Sequence, residues 1–287
     1  MRTTVITTVA GRHEHLARQR ALLQDTDRHV VVAMGDGEAD RCRAICGESA
    51  EVIGVPAQPD GLPLARARNA GAQRALAADA ELLVFLDVDC LPGRRLLERY
   101  GEAAASAGAG ALLCGPVAYL PPAPEGGYPL HALHALASAH PARPVPPENE
   151  LLCGGDHTLF WTLSFAITAS TWRRVGGFCE EYVGYGGEDT DYGQLARRAG
   201  VELCWVGGAW AYHQHHPVES PPVRHLDDIL RNAEVFHRRW GWWPMGGWLD
   251  AFAERGLARH DPDTDRYYGV ASECASVSTP APLTNER

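Results

Sequence analysis

The sequence predicts an α/β protein built on a mostly parallel sheet, and three observations predict it. Short β-branched or apolar runs recur through the N-terminal half, stretches of helical composition separate them, and one run, Leu82–Leu86 (LLVFL), is apolar at every position. A strand wet on one face alternates, whereas a strand covered on both faces is apolar throughout. Strands spaced by helices of this length need βαβ crossovers, and ligands then bind beyond the carboxyl ends of the strands.

The elements follow in order. Thr3–Val9 (TTVITTV) reads as the first strand, residues 13–24 as a helix with Leu16 and Leu23 on one side, and residues 29–33 (HVVVA) as a second strand closing on the turn Gly35-Asp36-Gly37. Residues 50–55 form a short third strand. Residues 64–78 have the Ala and Leu content of a helix despite Gly71. After the buried strand come a helix at 94–105 and an apolar run at 111–117. Residues 120–147 change character, rich in proline and carrying His131, His134 and His140. They read as a long excursion with a short helix at 130–139. Regular pattern returns with a strand at 163–168, a helical turn at 170–175, a helix at 188–199, a strand at 201–206 and an amphipathic helix at 226–239. The Trp-dense stretch 240–248 has two readings, core packing beside that helix or a platform for a sugar acceptor. From His260 onward periodicity fades, and residues 276–287 are expected to fray.

Composition narrows the function. In 287 residues there is room for one large domain or two closely joined ones. The net charge is −10, and all 26 basic residues are scattered arginines, which argues against a nucleic-acid grip, since that needs a basic footprint. The first ten residues lack a signal-peptide pattern and no stretch approaches the ~18 apolar residues of a membrane span. The expectation is a cytoplasmic protein without a membrane span, its eight cysteines reduced.

Three clusters carry chemistry. Asp87-Val88-Asp89 directly follows the buried run; residues two apart on a strand share a side, so both carboxylates face one crevice. A divalent cation with a taste for oxygen, Mn²⁺ or Mg²⁺, offsets their repulsion; two loop-facing acids without a ligand are the alternative. Next, Gly184-Tyr185-Gly186-Gly187-Glu188-Asp189-Thr190-Asp191 puts three acids in four residues. They cap a helix start, or one of them takes a proton from a substrate hydroxyl, with Tyr185 against a sugar ring. Finally, Tyr212-His213-Gln214-His215-His216 offers imidazoles to a borderline metal.

Together these motifs resemble known enzymes. Residues 85–92 (FLDVDCLP) resemble the D-V-D metal motif of the β-1,4-galactosyltransferases, and YGGEDTD at 185–191 resembles their W-G-G-E-D-D-D segment, with Gly176-Gly177-Phe178 similar to the approach to it. Arg12-His13-Glu14-His15-Leu16 is similar to their R-x-E-H-L, while ARARNA at 65–70 resembles the R-N helix of bacterial family 2 glycosyltransferases. The resemblance spans about residues 3–216. It implies an inverting enzyme of GT-A fold: a Rossmann-like nucleotide-binding half (1–119), a Pro-rich loop (120–150), a galactosyltransferase-like acceptor and catalytic half (151–257) and a C-terminal tail (258–287). It further implies transfer of a hexose from a UDP-sugar to a hydroxyl of a carbohydrate or small-molecule glycoside acceptor. By position, Asp189 is the base and Glu188 holds the acceptor. Asp89 and His213 bind Mn²⁺, with His215 and His216 as further candidates because Trp210 stands where the family has a metal-binding Met. Asp87 meets the ribose or the metal's water shell, Arg12 the diphosphate, Asp36 the uracil or ribose, and Arg68 or Asn69 supports the nucleotide. Residues 217–224 are expected to close over the donor. Two competing readings are a sugar-nucleotide nucleotidyltransferase or hydrolase, and a non-catalytic nucleotide-sugar-binding protein.

Overall fold

The computed structural model describes residues 1–23, 26–217 and 219–270; the expected frayed end at 276–287 lies outside them. Strands β1 (Thr3–Val9), β2 (Arg28–Met34), β3 (Glu51–Val55) and β4 (Leu82–Leu86) pair in parallel. Helices α1 (His13–Leu22), α2 (Glu38–Cys46) and α3 (Leu64–Leu76) connect them. Strand β4 is buried at all five positions. Leu83 and Phe85 join one core with Phe165, Trp172, Phe178 and Tyr192, while Leu82, Val84 and Leu86 join another with Tyr100 and Leu113. Both faces are covered, as its unbroken apolar sequence requires. Gly71 is part of the packing: a Cβ there would stand 2.4 Å from Ile6 Cγ2, so glycine lets α3 lie flat on β1.

Of the remaining elements, four strands extend this same sheet and the others pack around it or form a smaller one. In chain order they are β5 (Cys90–Pro92), α4 (Leu96–Ala107), β6 (Ala111–Cys114), β7 (Val117–Tyr119), α5 (Leu133–Leu136), β8 (Ser138–Ala139), β9 (Leu151–Gly155), β10 (Ser164–Thr168), α6 (Ala169–Val175), α7 (Glu188–Arg198) and β11 (Glu202–Val206). The sheet runs β3-β2-β1-β4-β10-β6-β11-β9, with β10 antiparallel between β4 and β6. A division at 119/150 is therefore not a break in the fold, because β10 and β11 from the second half flank β6 from the first. The apolar run at 111–117 is two strands, split at Gly115, where a Cβ would meet the Ala209 carbonyl oxygen at 2.0 Å.

A small second sheet places the chemistry. It orders β5, β12 (Ala211–His213), β7 and β8. In its register His213 pairs with Cys90 on one side and Tyr119 on the other, so the residue after the D-V-D triplet lies beside the histidine. Beyond it, α8 (Leu226–Trp240) and α9 (Gly246–Glu254) pack through Ile229, Ala233, Leu249 and Phe252. Residues 258–269, expected as tail, form the hairpin β13 (Ala258–Asp261) and β14 (Arg266–Gly269) against them.

One cysteine expectation is overturned. Cys153 and Cys204 are joined by a disulfide across the edge pair β9–β11, because the antiparallel register sets the two residues opposite each other. Cys42, Cys46, Cys90, Cys114 and Cys179 are free thiols. No helix among the described residues is long and apolar enough to cross a membrane.

Candidate active site

The D-V-D turn, the first turn of α1 and the end of β12 converge. Asp89 is buried, at 7% exposure. Its Oδ2 lies 3.6 Å from Nε2 of both His213 and His216, and it also holds the Arg12 guanidinium. One ligand atom from each of Asp89, His213 and His216 falls within 4.8 Å of the others. At 3.6 Å the carboxylate–imidazole contacts are too long for good hydrogen bonds, but such spacing suits three donors that share an ion at about 2.0–2.2 Å. A carboxylate with two imidazoles is a fitting donor set for a divalent transition-metal ion. A further buried atom faces the same place: His15 Nε2 has no hydrogen-bond partner, and Asp89, Arg12 and His216 are among the charges that act on it.

Of the candidate histidines, His213 and His216 join Asp89 in this group, and His215 is outside it. Gln214 explains why. It is wholly buried and its amide donates to the Asp89 carbonyl at 2.7 Å, while the His215 amide donates to the Tyr128 hydroxyl at 3.0 Å. The chain thus bends after β12 and returns toward Asp89 one residue later. A second trio, Cys153, Glu202 and Cys204, is also close, but its sulfurs are spent on the disulfide.

Burial and neighbouring charges together set the charge states of this group. Burial alone would raise the Asp89 carboxyl; the close approach of His216 and the charges of His213 and Arg12 outweigh it and hold Asp89 well below the usual range. His213 is lowered, mainly by burial, which favours the neutral imidazole that binds metals. Asp87 is raised by burial and by Asp89, with Arg68 pulling the other way.

Arg68, on α3, links the two acidic motifs. Its side chain is 4% exposed and reaches Asp87 Oδ1 at 3.3 Å and Glu188 Oε1 at 3.0 Å. Glu188 begins α7 after Gly186 and Gly187, both at positive φ (90° and 93°), where a side chain is strained. The three acids have different surroundings. Glu188 is paired with Arg68. Asp191, fully buried, accepts from Trp240 Nε1 at 2.6 Å, Arg239 Nε at 2.7 Å and the Tyr182 hydroxyl at 3.2 Å, fastening α7 to α8. Asp189 has only its neighbour Thr190, whose amide donates at 2.7 Å. Burial and the Glu188 charge push Asp189 up to about 7, against the pull of the Thr190 bonds and Arg68.

Tyr185 is exposed. Its ring stacks on His225 (centroids 4.6 Å apart) and Trp248 (5.7 Å), and its amide donates to Asp228. Burial, then Asp189 and Glu188, push its hydroxyl up to about 12. Of the other tryptophans, Trp243 lies on His237 at 4.2 Å and bonds Asp265, and Trp240 bonds Asp191, both in support of the helix packing.

Two residues expected to contact the nucleotide have different surroundings. Asn69 gives its amide to the Phe178 carbonyl and Glu180 and takes the Phe178 amide at 2.8 Å; it clasps the approach to the acidic segment. Asp36 is exposed in the turn after β2. Nearby, Glu38 had no sequence signal beyond an acid at a helix start, yet it is buried and binds the Gly11 amide at 2.8 Å and His13 at 3.0 Å, shaping the loop that carries Arg12. The segment 217–224, expected to close over the donor, includes Val218, which lies outside the described residues.

Comparison with known proteins agrees with this layout. Residues 155–217 match the family model described as the N-terminal domain of galactosyltransferase, a span that holds the acidic segment and all three histidines. The chain is 28% identical over 255 residues to validoxylamine A glucosyltransferase of Streptomyces hygroscopicus subsp. jinggangensis, covering 78% of this chain and 56% of that one. It is 27% identical to the enzyme of the same name from subsp. limoneus, covering 78% and 52%. The chain thus spans about half the length of these curated relatives. Among solved structures, GalNAc-T7 with UDP, GalNAc and Mn²⁺ superposes with a TM-score of 0.53 at 14% identity, covering 89% of this chain and 57% of that one. S. aureus TarS 1-349 gives 0.51 at 15% identity, covering 84% and 72%. The fold is that of the GT-A glycosyltransferases.

Proposed function

We propose that the chain is a metal-dependent, inverting glycosyltransferase that moves a hexose from a UDP-sugar to a hydroxyl of a carbohydrate or small-molecule glycoside. The observation that carries this reading is one connected cluster of charged side chains. A carboxylate–imidazole trio at Asp89, His213 and His216 is tied through Asp87, Arg68 and Glu188 to Asp189, a carboxyl raised to about 7. Two relatives named as glucosyltransferases and a neighbour crystallised with UDP and Mn²⁺ support it.

Asp89, His213 and His216 would hold the cation, Mn²⁺ or Mg²⁺. When bound, it supplies Lewis-acid neutralisation of the charge on a departing diphosphate. The chain's own residues do the rest. Asp189 removes the proton from the attacking hydroxyl, a task suited to a base with a pKa near the working pH and worth about 10²–10⁴-fold. Glu188, fixed by Arg68, orients the acceptor hydroxyl through its second oxygen. Arg12 and His15 lie where a diphosphate needs donors. Tyr185 and Trp248 offer flat faces to a sugar ring. Attack from the side opposite the leaving group gives inversion without a covalent sugar–enzyme intermediate.

The test is a thermal-shift and calorimetric screen of UDP-hexoses with and without Mn²⁺, followed by transfer assays on hydroxyl acceptors. Donor binding that depends on Mn²⁺, with turnover that depends on acceptor, is expected. Equal turnover of the donor without acceptor would replace this reading with a hydrolase, and no metal-dependent nucleotide binding would end it.

A further inference from the structure

Beneath the D-V-D turn runs a chain of buried polar side chains that the proposed chemistry does not use. Gln19, on α1, is wholly buried. Its Nε2 donates to the carbonyls of Asp87 and Cys90, each at 2.8 Å, the two residues that bracket Val88 and Asp89. Its Oε1 bonds the Thr7 hydroxyl at 2.9 Å. Thr7 Oγ1 lies 3.0 Å from His29 Nε2, and His29 Nδ1 lies 2.9 Å from Arg20 Nη1. Thr7 is fully buried and His29 and Arg20 are nearly so.

The direction of every bond is forced. An arginine only donates, so His29 Nδ1 must accept and the ring proton sits on Nε2. That proton goes to Thr7 Oγ1, the Thr7 hydroxyl proton goes to Gln19 Oε1, and the Gln19 amide protons go to the turn. Reversing any one link would set two acceptors or two donors face to face. Burial, and then the Arg20 charge, push His29 down to about 3, so the ring stays neutral at ordinary pH and the order is kept.

We infer that Thr7, Gln19 and His29 are positioning residues for the cation site: they hold the D-V-D turn in the shape that presents Asp89 to His213 and His216 before any ion arrives. The turn has no regular secondary structure of its own between β4 and β5, and Gln19 fixes both of its ends. Two bonds from an amide already locked by a third leave the turn little freedom, and that preorganises the ligand. Polar partners one step behind a ligand set its geometry, and losing one typically weakens metal binding about 10–100-fold. This inference rests on reading Asp89, His213 and His216 as a cation site.

The experiment uses Thr7→Val, which keeps size and β-branching in strand β1 but removes the hydroxyl, and Thr7→Ser, which restores it. Mn²⁺ affinity is measured on the free protein by calorimetry and by electron paramagnetic resonance, with Tm as the control for folding. Thr7→Val is expected to bind Mn²⁺ roughly tenfold more weakly, and Thr7→Ser to recover to within about twofold of wild type. Thr7→Val binding Mn²⁺ as wild type does, with only its Tm lowered, would overturn the positioning role and leave the proposed function standing. Wild-type protein that binds no Mn²⁺ would instead remove the cation site, and this inference with it. Nitrogen-15 NMR of His29 in wild-type protein gives an independent reading, whatever the stability of the variants. A neutral ring protonated on Nε2 is expected, and a proton on Nδ1 would refute the chain of bonds.

Discussion

Asp189 should cost the protein stability, and Asp189→Asn measures how much. An ordinary aspartate titrates near 3.8, while burial and Glu188 hold this one near 7. The gap is about 3 units, and at ~1.4 kcal/mol each the ionised side chain costs about 4 kcal/mol above pH 7. Asp189 keeps some contact with solvent, so about half of that, ~2 kcal/mol, is a fair expectation. The sign follows from which state loses its proton first. The unfolded chain ionises near 3.8 and the folded one near 7, so wild type loses stability as pH rises through that window and does not regain it above. Asparagine cannot ionise and can still accept the Thr190 amide bond. Asp189→Asn should therefore raise Tm by about 4–8 °C at pH 8, and the gain should shrink by more than half at pH 5. The same variant should bind donor normally and transfer sugar about 10²–10⁴-fold more slowly. Melting curves of both proteins from pH 5 to 8.5 provide the assay. A Tm difference that does not change with pH would refute the claim that Asp189 is a buried, reluctant carboxylate, and a near-normal kcat would remove it as the base.

Other outcomes follow from the same geometry. Asp89→Ala should abolish Mn²⁺-dependent UDP binding in calorimetry. His216→Ala should weaken Mn²⁺ at least about tenfold while His215→Ala leaves it within about twofold, and equal effects would break the assignment of ligands. Trp248→Ala, by removing a ring from the Tyr185 stack, should raise the acceptor KM about 3–10-fold with donor affinity unchanged. Trp243→Ala should instead lower Tm without touching KM, since that ring packs on His237 and bonds Asp265. Reducing the Cys153–Cys204 disulfide, which spans 51 residues, should lower stability by about 2–4 kcal/mol in denaturant titrations with and without reductant. An unchanged midpoint would mean that edge strand β9 is held without it.

The sheet was legible because its information is local. The unbroken apolar run of β4, the β-branched runs of β1 and β2 and the Ala-rich α3 each declare burial within a few residues. What escaped was short or non-local. β5, β7 and β12 are three residues each, too short for a period to show, and yet their pairing is what sets His213 beside the D-V-D turn. That His216 rather than His215 joins Asp89 turns on Gln214, the buried glutamine just before them, whose partner carbonyl on Asp89 lies more than a hundred residues away in the chain. The disulfide depends on the register of an edge strand at 151–155 that carries two leucines and two glycines and no alternation. Gln19 lies in the strongly polar helix α1, and Thr7 and His29 in strands that mix polar and apolar residues, so sequence patterning offers no cue to their burial until the turn above them is seen.

The acidic segment shows why a motif names a site but not its roles. Glu188, Asp189 and Asp191 have similar side chains on one helical turn, and by composition any of them could be the base. What separates them is where the cations and donors come from. Arg68 reaches Glu188 from α3, and Arg239, Trp240 and Tyr182 reach Asp191 from outside α7. A carboxylate held in such bonds has its lone pairs engaged and makes a poor proton acceptor, whereas Asp189 has only Thr190 and a like charge beside it. Its raised carboxyl thus follows from burial and the Glu188 charge, which outweigh the Thr190 bonds and the pull of Arg68, while the same Arg68 bonds Asp87 in the D-V-D turn. One guanidinium thus links two ends, the D-V-D turn and the start of α7. A change at Arg68 should therefore disturb both ends together, which no substitution confined to either acidic motif would do.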